Sequence, residues 1–206
     1  MSDTAMAAPM PGAAAGSPPA YEVPTGPLVP TKLLAIPAVS LAILIAGILA
    51  NTEWALGFLH VGFGAVWTGF DLFAGFMVGP ILKRLDPPMR VAFMKRYGPK
   101  MLVVMPTLAT ITLAAGFQLA RKAEFLTMPY PRHWWLVASF ALVGVMATSA
   151  FAILLPSNLQ VLMELRKPAP NFALVGKLSA RYGTFAAVAG VTQLLTLIIM
   201  TRLASF

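Results

Sequence analysis

The chain has 206 residues, of which 58% are hydrophobic and only 11% charged, with a mean hydropathy of +0.78. A soluble domain of this length needs far more charge to cover its surface, so composition predicts an integral membrane protein. The net charge of +8 gives no reason to expect nucleic acid, because the basic residues sit in short segments between apolar runs; the lack of cysteine excludes disulfides, thiolate metal sites and iron–sulfur clusters.

Residues 1–31 are rich in Ala, Pro and Gly and nearly uncharged, which predicts a disordered or extended arm. No basic stretch precedes a short apolar core there, so a cleaved secretory signal is not expected. Residues 32–53 hold a first span, Leu33 to Ala50, and a tight turn in which Thr52 is placed to cap the next helix. The second span starts at Glu53 and ends between Pro80 and Leu85. A basic loop follows, with Lys83, Arg84, Arg90, Lys95, Arg96 and Lys100. The third span is Met101 to Ala120, with a kink at Pro106 and with Thr107, Thr110 and Thr112 available to freed backbone groups. The fourth opens at His133, runs to about Leu155 and bends at Pro156. It continues as helix to Leu165, because the whole run is too long for one crossing. A loop with Arg166, Lys167, Pro168 and Pro170 leads past Lys177 and Arg181 to the fifth span, Tyr182 to Thr201. The expected fold class is all-α, with five transmembrane helices: an N-terminal span plus a four-helix bundle core over residues 54–206.

The segments after the second and fourth spans carry most of the lysines and arginines, while the other side has Arg121, Lys122, Arg132 and Arg202. The positive-inside rule then predicts a multi-pass protein of the cell membrane with its N-terminus cytoplasmic and its C-terminus outside. Its expected partners are the lipid bilayer and either other membrane subunits or a second copy of itself.

The second span carries the polar residues that need a reason. His60 and Asp71 are separated by 11 positions, roughly 20° beyond three full turns at about 100° per residue. They share one helix face with Gly64 and Trp67. Gly62, Gly64, Gly69 and Gly75 leave the helix bare enough for another helix or a flat ligand to approach. An ionisable residue inside a span is costly and marks a functional site by default. A structural alternative exists for each: His60 as a hydrogen-bonded packing residue, Asp71 as half of an ion pair. Arg181 is the nearest cation by depth, making Asp71–Arg181 the expected buried charge pair. Gln193 and Thr192 are polar alternatives for a neutral acid. His60 and His133, on different helices but the same side, are the imidazoles available to a metal or to a haem iron. His133, beside Trp134 and Trp135, also suits an aromatic belt. The sequence contains no nucleotide-binding glycine loop, nucleophile elbow or zinc-protease helix.

The pattern His60-x6-Trp67-x-Gly69 resembles the copper-resistance protein D family and the related membrane-bound protoporphyrinogen IX oxidases of the HemJ type. The resemblance covers about residues 54–203. Arg96-Tyr97 through Gly116 is similar to the family's second helix, and Arg181-Tyr182 to the basic-aromatic entry of its last. It implies a haem b bound through His60, with His133 at the position of a histidine before the third helix, and a redox or metal-handling role. The oxidases carry a lysine two positions after that histidine; here the residue is Trp135. Asp71 lies outside the family pattern. Three readings follow: a haem b protein whose cofactor-binding residues are His60, Gly64, Trp67 and His133, a non-catalytic subunit of a membrane complex, and a proton- or ion-handling transporter that uses Asp71.

Overall fold

The computed structural model describes residues 24–205, so the predicted arm falls outside it except for its last residues. Among the described residues the fold is all-helical, with five helices long and apolar enough to cross a membrane. They are α1 (Thr31–Ala50), α2 (Glu53–Arg84), α3 (Pro87–Lys122), α4 (His133–Glu164) and α5 (Phe172–Leu203).

Local chemistry explains the ends. Asn51 closes α1 in the left-handed region at φ 47°, a conformation asparagine tolerates. Thr52 then caps α2, its side-chain oxygen accepting from the Ala55 N–H at 3.2 Å. Pro87 opens α3, where a missing N–H is harmless. Arg90 reaches back across this turn. Its Nε donates to the Leu82 carbonyl at 3.0 Å, and its Nη2 to the carbonyls of Lys83 and Leu85 at 3.3 and 3.2 Å. These are carbonyls a helix end leaves without partners. Arg90→Ala should therefore lower unfolding stability by about 1 kcal/mol, the modest worth of exposed hydrogen bonds. It should also speed proteolysis at Leu85-Asp86. A variant that melts and is cut like the parent would show the cap to be idle.

Two of the expected loops are helical. The basic stretch 87–100 belongs to α3, and the stretch 172–181 belongs to α5. The reason is a small core at this end of the bundle. Val161, Leu165 and Leu178 are buried together, with Val91, Met94 and Val175 packed against them. Apolar spacing inside a charged stretch thus makes an amphipathic extension of each helix. Asn171 starts α5, accepting from the Leu174 N–H at 3.0 Å. The Glu164 carboxylate ties the α4–α5 turn by accepting from the Asn171 N–H at 3.0 Å and from Lys167 Nζ at 2.6 Å.

The expected bend at Pro156 takes the form of a widened stretch. Residues Thr148–Leu154 of α4 are π-helical, and the Leu155 N–H bonds the Ala150 carbonyl. The same happens in α2 at Ala74–Val78, where the Gly79 N–H, one residue ahead of Pro80, bonds the Ala74 carbonyl. In both helices the chain accommodates a proline ring by one wide turn just before it.

In the assembled bundle α2 lies along α3 and α4 along α5, α3 also meets α4, and α1 rests outside on α3 and α2. The buried contacts form three groups. Leu44, Leu59, Ile111 and Ala115 join α1 to the bundle. Trp67, Leu108, Ala109 and Met146 fill its middle. The third group is the basic-end core already described. Large apolar side chains such as Val39, Phe58, Phe76, Val191 and Ile198 face outward, the reverse of a water-soluble helix bundle.

Candidate functional site

The polar stripe of α2 lands on the seam with α3 and then crosses to α5. His60 Nδ1 lies 2.9 Å from the Thr112 carbonyl oxygen, so Nδ1–H donates to it and Nε2 is left without a part in this bond. The ring rests on Gly116, where an added Cβ would come within 2.5 Å of Nδ1. Gly64, one turn on, faces the Thr112 methyl group at 3.3 Å from where a Cβ would stand. Trp67 is buried against Leu108 and Ala109. The seam between α2 and α3 is therefore filled by protein over the face expected to receive a flat ligand.

Asp71 closes the stripe. Gln193 Nε2 of α5 donates to its Oδ2 at 2.7 Å. Trp67 stands one turn earlier on the same face of α2. The expected pair with Arg181 is not formed: Arg181 is exposed and has no ion pair with Asp71 among the described residues. Register is the reason. Arg181 precedes Gln193 by 12 positions, about 18 Å along the helix at 1.5 Å per residue, and a guanidinium at a bundle's end reaches outward more readily than into it. Thr192 spends its hydroxyl on the Val188 carbonyl at 2.7 Å, which leaves Gln193 as the partner.

Beyond this carboxyl lies a cavity of about 40 Å³ lined by Trp67, Asp71, Met101, Asn158, Tyr182 and Ala189, among others. It has room for about three waters at roughly 10–15 Å³ each. Asn158 Nδ2 donates to the Gly98 carbonyl at 3.4 Å. Its carbonyl oxygen is left for the cavity. Gln193 is 2% exposed, and its Oε1 is buried with no partner. The π-helical stretch of α4 borders this place through Ala150, Phe151 and Leu154, while that of α2 begins three residues after Asp71. Departures of this kind recur at functional sites.

A second cavity, about 200 Å³, sits at the basic end under residues 24–30, between Lys95 and Pro99 of α3 and Leu162, Leu165 and Arg166 beyond them. Arg166 donates to the Gly26 carbonyl and so holds the chain ahead of α1 over it. Gly98 of α3 packs closely on Leu162, a wall residue of this second cavity. A Cβ on Gly98 would stand 2.7 Å from Leu162 Cδ2.

Of the residues expected at the site, His60, Gly64, Trp67 and Asp71 do lie on one face. His133 does not join them. It opens α4 with its ring 5.0 Å from that of Tyr130 and Trp134 beside it, an aromatic cluster at the helix entrance. As a haem site the arrangement offers one imidazole nitrogen at His60, oriented by a backbone carbonyl as metal-binding histidines often are. Asn158 and Tyr182 escaped sequence reasoning as site residues. The signal available was Pro156, whose accommodation turns Asn158 toward α3. No family model, characterised protein or solved structure matches the chain, so the resemblance to the copper-resistance and oxidase families rests on its short motif alone.

Proposed function

We propose that this is a multi-pass membrane protein that handles protons or small cations at Asp71. The observation that carries the reading is the Asp71 carboxyl, held by Gln193 and opening on a cavity that Asn158 and Tyr182 also line. An acid inside an apolar span is expensive to keep, and here it is neither salt-bridged nor turned to lipid. Its depth supports the reading. The apolar stretches 101–120 and 182–201, bounded by Lys100 with Arg121 and by Arg181 with Arg202, are roughly 20 residues each. At 1.5 Å per residue each is about 30 Å, the thickness of a hydrocarbon core. Met101 and Tyr182 of the cavity wall then lie at the basic, cytoplasmic boundary, with Asp71 just inside it. The N-terminus is on that side and the C-terminus on the other. A reporter fused after Phe206 should be outside the cytoplasm and one fused at Lys100 inside; the same compartment for both would break this topology.

The activity test uses purified protein in liposomes with a trapped pH dye and imposed gradients of H⁺, Na⁺ or K⁺. The parent should change internal pH faster than protein-free vesicles, and Asp71→Asn should slow the change at least tenfold. Parent vesicles no faster than empty ones under every gradient would overturn the reading.

A second reading, a haem b carried by His60 in a redox role, is favoured by the Nδ1–Thr112 hydrogen bond, which leaves Nε2 free to ligate. Protein expressed with added haem should then show a Soret band that His60→Ala removes and His133→Ala leaves alone. A colourless preparation counts against it.

A further inference from the structure

We infer that the cavity under residues 24–30 binds the headgroup of an anionic glycerophospholipid, with Lys95 and Arg166 holding the phosphate. None of the residues lining it lines the Asp71 cavity.

Charge singles out these two side chains. The segments 83–100 and 164–181 hold ten lysines and arginines against two acids, Asp86 and Glu164. The Glu164 carboxylate is already spent inside the α4–α5 turn, on Lys167 and the Asn171 N–H. Eight of the ten cations are exposed, where water and salt screen them. The two that are half-buried are Lys95 and Arg166, and both line this one cavity. No acid is among its lining residues. A guanidinium carries five N–H donors in a planar fork. Arg166 commits one of them to the Gly26 carbonyl, which orients the fork and leaves donors for an oxyanion.

The rest of the wall selects an amphiphile. Apart from Thr25 it is apolar, with Leu28, Leu162, Leu165 and four prolines. Proline has no N–H, so these four residues add nothing to the nest of amides that commonly grips a free phosphate or a nucleotide. Two cations beside an apolar wall suit a lipid: its phosphate on Lys95 and Arg166, its glycerol and first acyl carbons along the leucines.

Level in the membrane selects the same guest. Lys95 and Pro99 precede Met101, where the apolar stretch of α3 begins, by six and two residues. At 1.5 Å per residue they stand about 9 and 3 Å outside the hydrocarbon edge. A bilayer about 40–45 Å thick with a core of about 30 Å leaves roughly 5–8 Å for headgroups on each side. The cavity therefore spans the layer in which lipid phosphates lie. Basic pockets between spanning helices at this level are a recurrent way of holding acidic headgroups.

The test is thermal unfolding of the purified full chain in a neutral detergent at low ionic strength, with dioleoyl phosphatidylglycerol or dioleoyl phosphatidylcholine added. The expected result is a saturable rise in Tm that is larger with phosphatidylglycerol at equal concentration, because a ligand that binds only the folded state stabilises it by mass action. Lys95→Gln with Arg166→Gln should need at least tenfold more phosphatidylglycerol for the same rise. Lys177→Gln with Arg181→Gln removes as much charge from exposed positions and should stay within about twofold of the parent. Lys95→Gln alone keeps the Arg166–Gly26 bond and should need at least threefold more, so the comparison stands even if the double variant fails to fold. Equal losses in the two pairs would mean diffuse attraction and overturn the site. Equal rises with the two lipids would overturn recognition of the headgroup. An equal rise with inorganic phosphate alone would make the guest a free anion. A rise with polyglutamate that phosphatidylglycerol fails to match would make this face a protein-docking surface, and either of these results overturns the lipid site.

Discussion

Asp71→Leu should lower unfolding stability in detergent by about 1–3 kcal/mol, and adding Gln193→Leu should return most of that loss. The size follows from what each single change leaves behind. Without Asp71, Gln193 keeps a buried NH₂ with no acceptor beside an Oε1 that already lacks a donor. A buried donor or acceptor stripped of its partner costs roughly 1–3 kcal/mol, whereas replacing both partners by apolar groups of similar shape is nearly neutral. Gln193→Leu alone removes the donor that Asp71 Oδ2 accepts from and should destabilise by a similar amount. The two residues belong to different helices, so the coupling reports the α2–α5 register directly. Losses that simply add in the double variant would mean that the two side chains do not interact. The pair should also separate stability from activity: the double variant should melt near the parent and yet carry no ion.

Gly116→Ala should be among the most damaging single methyl groups in the bundle. An added Cβ there would stand 2.5 Å from His60 Nδ1 and 2.6 Å from Cε1, and the ring cannot swing away without losing its bond to the Thr112 carbonyl. Overpacking of this kind costs about 1–3 kcal/mol, and a lost buried hydrogen bond adds about 1 kcal/mol. The contrast with Gly62 makes the effect specific. Its Cβ would meet nothing within 4 Å, so Gly62→Ala should be close to neutral. His60→Ala should rescue Gly116→Ala in part, because the small side chain removes the clash. Melting curves of the two singles and the double in one detergent check all of this. Equal effects at Gly62 and Gly116 would show that the α2–α3 seam is not packed as described.

The sequence by itself determined the parts of this protein that depend on local chemistry and on the length of apolar runs. Five apolar stretches became five long helices because backbone groups in an apolar medium must bond within their own segment. Thr52 caps α2 because a side-chain oxygen in that position meets a free N–H. The shared face of His60, Gly64, Trp67 and Asp71 was legible because helical periodicity fixes it before any neighbour is chosen. What α2 meets on that face was decided only by the tertiary structure. Choosing Gln193 over Arg181 as the partner of Asp71 requires the axial register of α5 against α2. That register is set by packing between chain segments far apart in sequence. The basic stretches read as loops because their charge hid a thin apolar stripe, and only the burial of Val161, Leu165 and Leu178 beside Val91 and Met94 made that stripe a core. The two wide turns ahead of Pro80 and Pro156 had a visible cause in the prolines. That the wide turn of α4 borders the cavity beside Asp71 did not, because it depends on how two separate helices are rotated in the same bundle.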